Sequence, residues 1–152
     1  MEMRKISTGA AIAIAATGLF MTLLTTGLLM SSQTLQSSGI VTAVNVGVYS
    51  DSSCTQNLTS INWGSIYPGN STTRIIYVKN TGSLPVTLAM TPESWVPSNA
   101  NTYISLSWNR EGTVLTADQS TTATLTLSAS PNAGNITTFG FNITITGTEQ
   151  VT

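Results

Sequence analysis

From Gly39 onward, apolar or β-branched residues alternate with polar ones over short runs bounded by Gly, Pro, Asn and Ser. A period of two predicts strands that bury one face. The first predicted strand is Ile40 to Tyr49, with Ile40, Val44, Val46 and Val48 on one face. A shorter piece around Ile61 to Trp63 leads through Gly64 to a turn at Pro68-Gly69-Asn70. Further strands are predicted at Thr72 to Asn80, Leu84 to Thr91, Thr102 to Asn109, Thr113 to Leu115, Thr121 to Ser130 and Thr138 to Thr146. Seven to eight short strands at this spacing predict an all-β domain over residues 41–152, a single β-sandwich of jelly-roll or immunoglobulin-like type. The Cys-Trp-Cys hallmark of true immunoglobulin domains is missing. Thr91 to Asn101 reads as the longest irregular connection, with Trp95 plugging one end of the sandwich. Trp63, Trp95, Trp108, Phe139 and Phe141 are the expected core aromatics, since large rings dominate the burial energy of such cores.

Upstream the pattern is different. Arg4 and Lys5 precede an uncharged, largely apolar run from Ala10 to Met30, and the next charge is Asp51. A basic start followed by an apolar stretch predicts a hydrophobic signal helix over residues 1–30 and hence export. The run is also long enough for a bilayer, which takes about 20 residues, so retention as an anchor competes with cleavage. Residues 31–40 then form a polar N-terminal extension ahead of the sandwich.

Composition narrows the chemistry. The 152 residues carry 11 formal charges, no histidine and one cysteine. Ser/His and Cys/His nucleophile pairs are therefore impossible, as is any histidine-ligated metal site. A net charge of −1 offers no basic footprint for nucleic acid. Polarity comes instead from 46 Ser and Thr and 11 Asn. With so little charge, repulsion between copies is weak, which favours self-association. The carboxylates Asp51, Glu93, Glu111, Asp118 and Glu149 stand in no recognisable catalytic context, and Arg110-Glu111-Gly112 reads as a solvated hairpin tip. The expectation is a protein that is no enzyme and needs no cofactor. Cys54 has no partner for a disulfide and reads as a small, partly buried hydrophobe. Lys79 beside Asn80 raises a lysine–asparagine isopeptide bond as a hypothesis, against a lysine snorkelling from the sheet surface. Four Asn-X-Ser/Thr sequons follow the signal, at Asn57, Asn70, Asn135 and Asn142, and are candidate N-glycan sites in an exported chain.

The run Trp63-Gly64-Ser65-Ile66-Tyr67-Pro68-Gly69-Asn70-Ser71 is followed by Tyr77-Val78-Lys79-Asn80-Thr81-Gly82 and Pro85-Val86-Thr87-Leu88. With Trp95-Val96-Pro97, Leu106-Ser107-Trp108-Asn109 and Phe139-Gly140-Phe141-Asn142-Ile143-Thr144, this order resembles the small archaeal relatives of the TasA/camelysin family, among them biofilm-fibre subunits and bundling pilins. The resemblance spans about Gly39 to Gly147. It implies a jelly-roll-like subunit that polymerises with copies of itself by donor-strand complementation, outside the cell, with the membrane involved only through the signal segment. The metalloprotease label of camelysin does not transfer to a chain without histidine.

The predicted donor is Ser31, Ser32, Gln33, Thr34, Leu35, Gln36, Ser37, Ser38, Gly39 and Ile40, with Leu35 as its main apolar anchor. A strand added to a sheet edge gains main-chain hydrogen bonds for affinity and side-chain pockets for register. Edge-blunting lysine and proline are scarce in this sequence, as such addition requires. The alternative expectation is a monomeric or membrane-anchored cell-surface domain that binds carbohydrate or serves adhesion through the Trp95 loop.

Overall fold

The computed structural model describes residues 35–150. The expected signal helix and Ser31 to Thr34 lie outside the described residues. Among the described residues nine strands form: β1 (Leu35–Val44), β2 (Gly47–Tyr49), β3 (Ser60–Ile66), β4 (Ser71–Lys79), β5 (Val86–Val96), β6 (Ile104–Trp108), β7 (Val114–Leu115), β8 (Ser120–Ala129) and β9 (Thr138–Glu149). Two short 3₁₀ helices, Ser98–Thr102 and Ala133–Asn135, join strands.

The alternation read from the sequence is what drives these elements. In β8, Ala123, Leu125, Leu127 and Ala129 point inward while Thr122, Thr124, Thr126 and Ser128 face out. In β9 the inward set is Phe139, Phe141, Ile143, Ile145 and Gly147. Hydroxyls on the outer face and branched or aromatic groups on the inner one suit a half-buried pleat. The strands make a five-stranded sheet in the order β3-β1-β9-β5-β7 and a four-stranded sheet in the order β2-β4-β8-β6, and their inner faces enclose one apolar core. The fold is mostly β with two sheets, as a β-sandwich requires. The pairings are antiparallel with one exception: β1 runs parallel to β9.

Two expectations are corrected by backbone geometry. The predicted strand Ile40 to Tyr49 is two strands in different sheets, broken at Asn45, whose φ of 57° lies in the left-handed region. Asn tolerates that conformation, and its side-chain amide donates to the Gly147 carbonyl at 3.3 Å. The break shifts the pleat phase by one residue, so Val46 and Val48 are buried as expected, but Ile40 and Val44 are turned to solvent. The inward set of β1 is Leu35, Ser37, Gly39 and Val41. The boundary expected between residues 40 and 41 therefore falls inside a continuous strand.

Thr91 to Asn101 is likewise no long loop. β5 continues to Val96, with a register shift between Glu93 and Val96 and a left-handed Ser94 (φ 55°). Such an irregularity re-aims the side chains that follow it. Here it sends Trp95 against the rings of Phe141 and Phe139, at centroid distances of 4.3 and 6.3 Å.

Candidate functional site: the slot that holds β1

β1 is an interior strand. On one side it pairs antiparallel with β3, from Leu35 opposite Ile66 to Ile40 opposite Ser60. On the other it pairs parallel with β9, from Gln36 opposite Thr138 to Val44 opposite Thr146. Of the expected donor residues, Leu35 to Ile40 thus lie in the sheet of their own chain. The place they occupy is a gap between two strands rather than an outer edge. The outer edge on that side belongs to β3, and Arg74 of β4 covers it. Its guanidinium donates to the carbonyls of Asn62 (3.0 and 3.2 Å) and Trp63 (3.0 Å), 5.9 Å from the Trp63 ring centroid. Main-chain acceptors held this way are closed to another strand, so blunting is present where the sequence reading found little.

The floor of the slot is aromatic. Trp63 of β3 and Phe141 of β9, from either side of β1, lie with ring centroids 6.4 Å apart and planes inclined by 22°. Phe139 and Trp95 extend the stack. Leu35 is fully buried at one end of β1, and Val41 is buried further along. Between them lie only Ser37 and Gly39. Among the described residues the Ser37 hydroxyl and the Trp63 indole N–H are both buried without a hydrogen-bond partner. An orphaned buried polar group costs about 1–3 kcal/mol, so this strand is held less well than its main-chain pairing alone implies.

Other singled-out residues have separate places. Of the expected core aromatics, Trp63, Phe139 and Phe141 are buried, while Trp95 and Trp108 are half-buried against the core. Asn57, Asn70 and Asn135 are exposed, as glycan acceptors must be. Asn142 is half-buried on the outward face of β9, between Ile40 and Glu93, and the hydroxyl of its sequon Thr144 donates to Glu93 at 2.6 Å. Glu111 is not simply solvated: it accepts from the Trp108 indole at 2.7 Å and from the Met90 N–H at 3.2 Å, tying the Arg110–Gly112 tip to the sheet. Lys79 pairs with Asp118 at 3.5 Å. The fully buried Asn80 amide instead donates to the carbonyls of Leu84 and Leu115 and accepts from the Gly82 N–H. These partners occupy both residues of the isopeptide hypothesis in structural roles.

Asp51 accepts hydrogen bonds from the Gln56 N–H (2.7 Å) and from the Thr55 N–H and hydroxyl. The Gln56 bond foremost holds its carboxyl below the ordinary carboxylate range. It orders the β2–β3 connection. Cys54, in the same connection, is half-buried. Among the described residues no three of His, Cys, Asp and Glu come together as a metal site would require. Sequence reasoning missed Arg74 and the small pair Ser37 and Gly39. The signal for the latter was present, as two small residues alternating between Leu35 and Val41.

Comparison with protein-family models gives no match, and comparison with curated proteins gives none.

Proposed function

We propose that this protein is a structural subunit of an extracellular pilus or biofilm matrix fibre. Copies join head to tail, with the β1 segment of one filling the gap between β3 and β9 of the next, in the manner that the TasA/camelysin resemblance implies for a jelly-roll-like domain. The observation that carries this reading is that β1 is an interior strand whose sole covalent link to the rest of the sandwich runs through the left-handed turn at Asn45. Opening at that turn and exchanging β1 between copies keeps both sets of strand pairings, so closed and exchanged forms differ mainly in loop entropy and concentration. Because the strand passes to a different copy each time, the contact is head-to-tail and open, which generates filaments. A net charge of −1 offers little resistance to packing copies closely. The exported segment expected over residues 1–30 and the exposed sequons Asn57, Asn70 and Asn135 suit an outer-surface location.

One observation favours a second reading, a monomeric cell-surface binding domain. In the single chain β1 fills its own sheet, which is a self-sufficient sandwich.

The two are separated by a covalent trap. Ser38 and Asn62 are exposed register partners on β1 and β3. In a Ser38→Cys/Asn62→Cys chain with Cys54→Ser, a short thiol cross-linker applied to surface material should yield a ladder of covalent multimers, and electron microscopy of the same material should show fibres. Cross-links found only within single chains would refute the fibre reading and favour the monomer.

A further inference from the structure

The slot has a shape as well as hydrogen-bonding edges. Trp63 and Phe141 approach each other across β1 where its inward side chains are smallest. A Cβ placed on Gly39 would lie 3.4 Å from the Phe141 carbonyl oxygen and 3.5 Å from both Ile143 Cδ1 and Trp63 Nε1. A methyl would make ordinary contact there. A larger side chain would have to move the Trp63 ring, the Ile143 side chain or the β9 backbone. A pleated strand repeats every two residues, so a slip of two would bring Val41 or Ser37 to the place of Gly39, and a slip of one would turn Gln36, Ser38 and Ile40 inward.

We infer that the Trp63 and Ile143 side chains, beside the Phe141 main chain, are a size filter that fixes both the register and the identity of the strand the slot accepts: large, small, small, large at alternate positions, as in Leu35, Ser37, Gly39 and Val41. No other inward face among the described strands carries two consecutive small positions. β8 buries Ala123, Leu125, Leu127 and Ala129, and β9 buries Phe139, Phe141, Ile143, Ile145 and a single small residue, Gly147. The filter therefore rejects the chain's own other strands and takes the β1 segment of this chain or of a second copy. It depends on the fibre reading only for the donor's being a neighbouring copy. The filter itself acts on whichever chain supplies the strand.

The test reads register in the full chain carrying Cys54→Ser and Asn62→Cys. A second cysteine is placed in turn at Gln36, Ser38 or Ile40, all outward-facing on β1. With the native inner face, cross-linking should occur at position 38 and at least tenfold less at 36 and 40. Gly39→Leu should reduce the position-38 product at least tenfold, with or without new product at 36 or 40. Gly39→Ala and the outward enlargement Ile40→Phe should leave it unchanged. Adding Trp63→Leu to Gly39→Leu should restore the position-38 product, and Ile143→Ala is the alternative relief if circular dichroism shows that the Trp63 variant has lost its sheet. Gly39→Leu cross-linking at position 38 with the parental yield would overturn the filter, as would a folded relief variant that fails to restore it. Whether products join one chain or two reports on the fibre reading alone, so the two proposals fail separately.

Discussion

β1 and β8 are both ten-residue strands with a neighbour on each side, yet they are held by different forces. β8 buries Ala123, Leu125, Leu127 and Ala129, and each contributes apolar surface to the core. β1 buries two large side chains separated by a serine and a glycine, with the Ser37 hydroxyl unpaired. Apolar burial is worth about 25 cal/mol per Å², so β8 is fixed chiefly by its side chains and β1 chiefly by its main chain. Main-chain bonds can be made equally well to the same segment of another copy. The strand exchange proposed above would suit a segment held by pairing rather than by burial, because its exposed form then presents little apolar surface to water.

The largest effect should come from cutting the same side chain in each strand. Leu125→Ala should cost about 2–5 kcal/mol, as buried leucine truncations do, and should accelerate hydrogen exchange across both sheets together. Leu35→Ala should release β1 locally: amides of residues 35–44 exchange faster while those of β8 stay protected. Equal loss of protection in both strands for the Leu35 variant would erase the contrast. A smaller effect distinguishes two buried polar groups. Asn80→Ala leaves the Leu84 and Leu115 carbonyls and the Gly82 N–H without their partner, and should lower stability by about 1–3 kcal/mol in denaturant unfolding. Smallest, and opposite in sign, is Ser37→Ala. Removing an unpaired buried hydroxyl should leave stability unchanged or raise it by up to about 1 kcal/mol. A clear loss would mean that the hydroxyl has a partner and that β1 is better held than its geometry indicates.

Much of the fold was legible in the sequence because half-buried strands carry their burial pattern in their own residues. β4, β6, β8 and β9 start and end within about two or three residues of the alternation that predicted them. Misreadings fell where the backbone leaves the regular pleat. At Asn45 a single left-handed residue inverted the phase, so Ile40 and Val44 read as core although the segment before them faces the other way. Near Ser94 a register shift let a strand run through a segment whose two prolines suggested a loop. Both conformations are available to many polar residues, and nothing local distinguishes them from an ordinary turn. The site was legible in part: the isolation of Leu35 among polar residues singled out a side chain that the fold buries in its own sheet. The smallness of Ser37 and Gly39 acquired meaning only once Trp63 and Phe141, far away in the chain, were brought to either side of them.

By itself the sequence determined the class of fold, the absence of histidine chemistry and the weak charge, since these depend on periodicity and composition alone. Only the tertiary structure decided that the leading segment lies inside a sheet rather than along its rim. Which strands flank it, which carbonyls Arg74 covers and which rings meet across Gly39 are set by contacts between residues distant in the chain. Strand pairing depends on main-chain groups that every residue carries, and so the order of strands leaves little mark on residue type.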